Sequence, residues 1–455
     1  MRVMEVKGTG AGAELREVSA ALPELGPNHV LIKIHAAGVN RPDILQKKGL
    51  YPAPPGSSPY LGLEVAGEVA AVGTAVAKGR PGLAVGRRVM ALTNGGGYAQ
   101  YVAVPYAQLM ATPMSMSDVA AAGVMETLLT TWYNCVTLGG LQQGSAMLVH
   151  GATGGIGSMA LRLGAAAGAR AVVGTAGGGS KAQLGARLGA HAVVDYKAAA
   201  FDEVLTQDGP MKGFVRGKVS HRELFDAAGG CQGGGPAQLQ TGVWVADPDD
   251  ISQWGKTTSF GKELSVAHRN NSSLWEGLGP FAGGVGADAG TPGAPSRDGC
   301  NLVLDVVGGG YLPRNLSVLG TAGRHVSIAF QQGAKVPPDT NLMRVMLKRL
   351  QLTGSTLRSR SAQFKGSLVQ HVAAATQRHR LLAASHAQPP SSGDSPAPST
   401  GGGIPVEGGA VDAGEVAPLA PVLGGVRELA QAEEAHAALE GGAPGKQVLV
   451  VTHEQ

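Results

Sequence analysis

The hydrophobic rhythm of the chain changes near residue 118. Before that point, short apolar runs at 29–35, 64–72 and 88–92 are punctuated at close intervals by Gly and Pro. Residues 1–6 read as a further strand that opens the chain. Short strands separated by turn residues predict a small β-rich domain over 1–117. Beyond 118, helical stretches alternate with short apolar runs at 146–150, 171–174, 192–194, 302–306, 324–329 and 350–356. That alternation predicts an α/β architecture over 118–357, a doubly wound parallel sheet with helices on both faces. Residues 358–455 form a last section.

Two stretches interrupt the rhythm. Residues 208–299 hold glycine-rich runs and little periodicity, and 384–415 are rich in Pro, Ser and Gly. Such compositions bury too little apolar surface to offset their ordering entropy. Both are read as insertions, since long structureless loops are uncommon in compact domains. Without them roughly 330 residues remain, the size of a two-domain protein. Lys218-Val219-Ser220 is also what a splice-donor-like codon run, AAG-GTG-AGC, would encode, so the first insertion is open to a reading as translated intron.

Composition narrows the class. The 37 basic and 33 acidic residues leave a net charge of +4, and aromatics are 4% of the chain. That balance disfavours nucleic acid as a partner. Cys135, Cys231 and Cys300 are scattered and odd in number. They fit a reducing compartment and exclude a disulfide framework or a Cys-rich zinc lobe. No apolar run approaches the roughly 18 residues of a membrane helix, and the first residues lack the pattern of a signal peptide. A cytoplasmic protein is the expectation.

The chemistry begins at 147–157, MLVHGATGGIG. An apolar run is followed by Gly151, Gly154, Gly155 and Gly157, with Thr153 and Ile156 between them, and then by a helical stretch. Strand, glycine turn and helix in that order cradle a pyrophosphate, which meets the free N–H groups of the helix start. The spacing is G-x-x-G-x-x-G rather than G-x-G-x-x-G, so the turn alone is moderately specific. The next apolar run ends in Gly174-Thr175-Ala176-Gly177, and no acid occurs between Glu126 and Asp195. An NAD site places a carboxylate near there for the ribose. Its absence, with Ser180 and Lys181 following, makes room for a 2′-phosphate and favours NADPH. The alternative for Lys181 is a solvated lysine at a helix start.

The chain resembles the zeta-crystallin-type quinone oxidoreductases of the medium-chain dehydrogenase/reductase superfamily, in particular the mammalian branch induced by a tumour suppressor. The resemblance rests on GVNRPDILQKKGLYPAPPG (38–56), LGLEVAGEV (61–69), MALTNGGGYAQYVAVP (90–105), METLLTTWY (125–133), the glycine turn, KAQLGARLGAHAVVDYK (181–197), LVLDVVGGGYLPRNL (302–316), TLRSR (356–360) and AEEAHAALEGGAPGKQVLVV (432–451). It implies a GroES-like β-rich substrate domain, built from 1–117 and 358–455, beside a Rossmann domain, with the active site between them. It also implies a homodimer or homotetramer. Zinc relatives of this fold carry Cys and His where this chain has Asn40 and Leu63, so no metal is expected. Without a Lewis acid to polarise an alcohol, quinones or activated enones are the expected acceptors.

Residue by residue, the resemblance places Asn40, Tyr51 and Thr130 at the nicotinamide and substrate, Tyr196 beside Lys181 at the adenosine phosphate, and Lys446 on the cofactor side. On residue type alone, Asn40 also reads as a turn residue, Tyr51 as packed on prolines, Thr130 as bonded to its own helix, and Tyr196 as a strand-end core residue. Arg358 and Arg360 are candidates for the cleft rim or a subunit contact, with surface charge as the default, His150 reads as a strand residue, and Asp305 as a cap for local backbone. Gly154 departs from the branch, in which a hydroxyl residue can stand there. Two alternatives remain: an NADPH-dependent enoyl or alkenal reductase on the same fold, and a non-catalytic, crystallin-like protein that binds NADPH or RNA.

Overall fold

The computed structural model describes residues 1–80, 82–206, 209, 211–230, 235–249, 262, 295–382 and 419–453. Strands β1 (Arg2–Lys7) and β2 (Glu14–Ser19) form an antiparallel pair. The first large sheet contains β3 (His29–Val39), β4 (Glu64–Val72), β5 (Arg88–Leu92), β6 (Tyr101–Pro105) and β7 (Leu109–Ala111). Val30, Ile32 and Ile34 of β3 are fully buried while the residues between them are partly exposed. That period-two alternation is why the strand was legible in the sequence.

The second sheet contains β8 (Ala146–His150), β9 (Ala171–Ala176), β10 (Ala192–Asp195), β11 (Ala237–Gln240), β12 (Val243–Val245), β13 (Cys300–Asp305), β14 (Leu319–Ser327) and β15 (Gln351–Gly354). Its order is β11-β12-β10-β9-β8-β13-β14-β15. The six strands from β10 to β15 in this order are parallel. Every residue of β8, β9 and β10 is buried, as expected where helices cover both faces. Numbered along the chain, the six parallel strands run 3-2-1-4-5-6, so the connections reverse between β8 and β13 and open a crevice at the C-terminal end of β8. The chain then returns to the first sheet with β16 (Leu423–Glu428) and β17 (Lys446–Val450), and β17 pairs antiparallel with β3. Both ends of the chain therefore build the first sheet.

The stretch 208–299 departs from its sequence reading. Its described part is folded onto the parallel sheet: β12 pairs antiparallel with β10, and β11 with β12. Phe214, Val215, Leu224, Phe225, Val243 and Val245 are buried in the same core as Phe201 and Leu316. A few large apolar residues at wide spacing bury a hairpin and two short helices where periodicity gives no signal. The helix His221–Ala227 carries a capping box between Ser220 and Glu223. Residues 384–415 lie outside the described residues.

Candidate active site

The glycine turn sits at the crevice. Gly151 follows β8 with φ +70° and accepts a hydrogen bond from the Gly154 N–H at 3.1 Å. A Cβ on Gly157 would lie 2.0 Å from the Gly151 carbonyl oxygen, so only glycine allows this close return of the backbone. The helix Gly155–Ala166 has Gly154 as its N-cap, with no side chain to fill that role. The first-turn N–H groups of Gly155, Ile156 and Gly157 have no partner within the helix, and the positive end of its dipole lies there. Thr153 is buried, and its carbonyl accepts from the Gly445 N–H at 2.7 Å, so the segment leading into β17 crosses the turn.

One strand over, a Cβ on Gly177 would lie 2.5 Å from the Tyr196 hydroxyl oxygen, so the tyrosine lies across this glycine with 42% of its surface exposed. Lys181 donates to the Gly442 carbonyl at 2.6 Å, and Ser180 is exposed. The nearest acid in sequence, Asp195, uses one carboxylate oxygen to accept from the N–H groups of Gly178, at 2.8 Å, and Lys197, at 3.0 Å. Thr175 is placed differently from these residues. Its hydroxyl is buried and bonded to His150 Nδ1 at 3.0 Å, while His150 Nε2 meets Asn315 Oδ1 at 2.8 Å. Burial pushes the His150 imidazole down to about 4 and keeps it neutral near pH 7. Asp305 accepts from the N–H groups of Val307, at 2.7 Å, and Gly308, at 3.2 Å.

The glycine turn faces a polar cluster. Asn40 follows β3, and its N–H donates to Asp43 at 2.8 Å at the start of the helix Arg41–Lys47. Its side-chain nitrogen donates to Glu64 Oε1 at 3.1 Å, and its side-chain oxygen accepts from Lys446 Nζ. Lys446 also pairs with Glu64 at 2.5 Å, and Glu64 Oε2 accepts from the Glu126 N–H at 2.9 Å. Glu64 is wholly buried and Lys446 almost so. A buried carboxylate with its cation and hydrogen bonds in place is compensated. A Cβ on Gly155 would contact both Thr127, at 3.4 Å, and the Lys446 side chain, at 3.6 Å, which ties the cluster to the turn.

Thr130 donates to Glu126 at 3.3 Å. Burial pushes the Glu126 carboxyl up to about 7; Lys446 opposes the shift and Glu64 adds to it. Tyr51 stands with its ring 5.5 Å from the Arg358 guanidinium. Arg358 is 8% exposed, which corrects its reading as a surface charge; Arg360 is exposed, 5.0 Å from the Phe364 ring. The sequence reading missed Asp43 and Glu126. Asp43 was legible as the third residue after an N-cap asparagine. Glu126 lies within METLLTTWY, but nothing in that stretch marks it as a site residue, and only the fold brings it to Glu64.

Among the described residues, no three or more His, Cys, Asp or Glu side chains are arranged to hold a metal ion. Nor is any helix among them long and apolar enough to cross a membrane.

The two sheets and the crevice between them define the medium-chain dehydrogenase/reductase fold: a GroES-like β-rich unit beside a Rossmann sheet. Residues 26–114 match the alcohol dehydrogenase GroES-like domain. The chain is 32% identical over 183 residues to a mycocerosic acid synthase-like polyketide synthase of Mycobacterium tuberculosis, a match that spans 40% of this chain and 8% of that protein. The Escherichia coli quinone oxidoreductase complexed with NADPH is similar in structure, with a TM-score of 0.59 and 20% identity over 99% of both chains. CurK enoyl reductase is similar too, with a TM-score of 0.59 and 18% identity over 99% of both chains.

Proposed function

We propose that the chain is a zinc-independent oxidoreductase of the zeta-crystallin type that passes reducing equivalents from NADPH to quinones. The observation that carries this reading is the uncapped start of the helix Gly155–Ala166, which faces the Lys446–Asn40–Glu64 cluster across the crevice. An anion-binding helix end opposite a closed polar cluster is what a dinucleotide site needs. The backbone from Gly151 to Gly157, with Thr153 and Ile156, would hold the pyrophosphate. Ser180, Lys181 and Tyr196 around Gly177 would hold the 2′-phosphate, with Thr175 supporting the turn from inside. The E. coli quinone oxidoreductase solved with NADPH supports the choice of cofactor.

The residues do not fit a catalytic zinc. Leu63 has no donor atom, and Glu64 is already neutralised by Lys446. NADPH, when bound, supplies the hydride. Lys446 and Glu64 fix the orientation of the Asn40 amide, and positioning of this kind supplies much of the rate. Asn40 and Tyr51 would stabilise the negative oxygen of the reduced acceptor, and Thr130 would hold Glu126 beside them.

The raised Glu126 carboxyl favours a second reading, the enoyl or alkenal reductase, because such chemistry needs a proton donor near neutral pH. The similarity to CurK enoyl reductase and to a polyketide synthase supports it as well. Assays with NADPH across ortho-quinones, para-quinones, 2-alkenals and 2-enoyl thioesters separate the two. Quinone turnover is expected; turnover of enals or enoyl thioesters without quinone activity would select the second. A homodimer or homotetramer in the cytoplasm belongs to the same reading, supported by the exposed apolar residues around β15, the edge strand of the parallel sheet among the described residues.

A further inference from the structure

Arg358 and Lys365 are two cations buried side by side without a carboxylate between them. Arg358 is 8% exposed and Lys365 1%. Among the described residues, Lys365 Nζ donates only to neutral oxygens, Asn94 Oδ1 at 2.5 Å and the Arg358 carbonyl at 2.6 Å. Arg358 Nη2 likewise donates to Gln46 Oε1 at 2.5 Å and the Asn94 carbonyl at 3.4 Å. Among the described residues neither side chain forms an ion pair. Asp43 acts on Arg358 at longer range, but its oxygens accept from the N–H groups of Asn40, at 2.8 Å, and Gly62, at 3.0 Å.

The guanidinium is also incompletely used. Its Nε and Nη1 are buried with no hydrogen-bond partner among the described residues. Buried donors left unpaired, on a group that carries charge, are unfavourable unless something binds there. The Tyr51 ring stands 5.5 Å from the guanidinium, and Gln46 belongs to the helix that follows Asn40, so the buried donors sit behind residues that the resemblance places at the substrate. The next residues of the segment, Ser359, Arg360 and Ser361, line an open cavity of about 460 Å³ with Gln363, Phe364 and Ser367. Burial holds the Lys365 amine down to about 8, with Arg358 adding to the shift; a bound anion would relieve both groups.

We propose that Arg358, backed by Lys365, is a substrate-binding site for a carboxylate carried by the acceptor. Charge-assisted bonds from arginine to carboxylate are strong and directional, and lysine supplies a second positive charge. The inference rests on the reductase reading and narrows its substrate class to acidic quinones or enones.

The test compares 1,4-naphthoquinone-2-carboxylate with its neutral methyl ester. In NADPH oxidation assays, KM for the acid is expected to lie about tenfold below that for the ester. Arg358→Gln should reduce this acid-to-ester preference about tenfold, and Arg358→Lys, which keeps the charge, should retain part of it. Calorimetric titration of the protein without cofactor by the same acid gives a second readout, with tighter binding to the wild type than to Arg358→Gln expected. Loss of all NADPH turnover in the wild type would remove the reductase reading, and the titration would still decide the anion site. Equal affinity of the wild type for acid and ester, or an equal loss for both in Arg358→Gln, would overturn the proposal and leave Arg358 a structural support for Gln46 and Asn94.

Discussion

Lys446 joins three parts of the chain: it pairs with Glu64 of β4, bonds Asn40 at the end of β3, and touches the glycine turn through Gly155. Lys446→Met leaves Glu64 buried without its cation, and a loss of about 3–5 kcal/mol in urea denaturation is expected. Adding Glu64→Gln to that variant should restore a large part of it, since the uncompensated charge is then gone. The carboxyls of Asp43 and Glu126 are raised, to about 6 and about 7, chiefly by burial. The folded state therefore binds protons more tightly than the unfolded chain, and stability falls as pH rises from about 4 to about 7. Glu126→Gln should flatten that slope in denaturation midpoints measured across the range. Asn40, Tyr51 and Lys446 were singled out through the resemblance and not through residue type, which reads Asn40 as a turn residue and Tyr51 as packed on prolines. The Glu64–Lys446 pair was not, because its members lie near opposite ends of the sequence and meet only when β17 docks on β3.

Among the elements, β8, β9 and β10 were legible because burial on both faces leaves short, nearly uninterrupted apolar runs, whereas the less buried β14 and β15 were legible only through the alternation with helices. β11 and β12 were not. β11 alternates exposed and half-buried residues without an apolar face, and β12 is three residues long. What holds this hairpin and its helices is a set of widely spaced side chains. Phe225 is wholly buried, and Phe225→Ala is expected to lower stability by about 3–5 kcal/mol. Two histidines add a pH dependence. His191 and His221 stand 4.8 Å apart, with Phe214 against both rings. Burial, together with each other's charge for His191, pushes them down to about 3 and about 4. Arg222 opposes protonation of His221, and Asp247 favours it. Both stay neutral in the folded state, so their contribution is present above pH 6.5, the ordinary histidine value, and is lost as pH falls toward 4. Hydrogen exchange of β10 and β12 should accelerate over that window, while β13 and β14 stay protected.

At the scale of the whole molecule, exposed apolar side chains gather beside β15, the edge strand of the parallel sheet among the described residues. Leu352 of β15 is exposed, as are Leu342, Met343, Met346 and Leu347 beside it in the chain. The proposed homodimer or homotetramer should use this face, and Met346→Glu with Leu352→Lys should yield a monomer in sedimentation velocity. An unchanged sedimentation coefficient would place the contact elsewhere. The two-sheet plan was legible in the switch of hydrophobic rhythm near residue 118, but the return of the C-terminal strands to the first sheet followed only from the resemblance. The crevice is proposed to bind NADPH, held in preference to NADH by Lys181 and its neighbours. The direct measurement is kcat/KM for the two nucleotides with one quinone acceptor, for the wild type and Lys181→Glu. A preference for NADPH of at least about tenfold, near 1.4 kcal/mol, that Lys181→Glu abolishes or inverts is expected. Equal use of NADPH and NADH by the wild type, or a preference untouched by Lys181→Glu, would exclude Lys181 and its neighbours as a 2′-phosphate site.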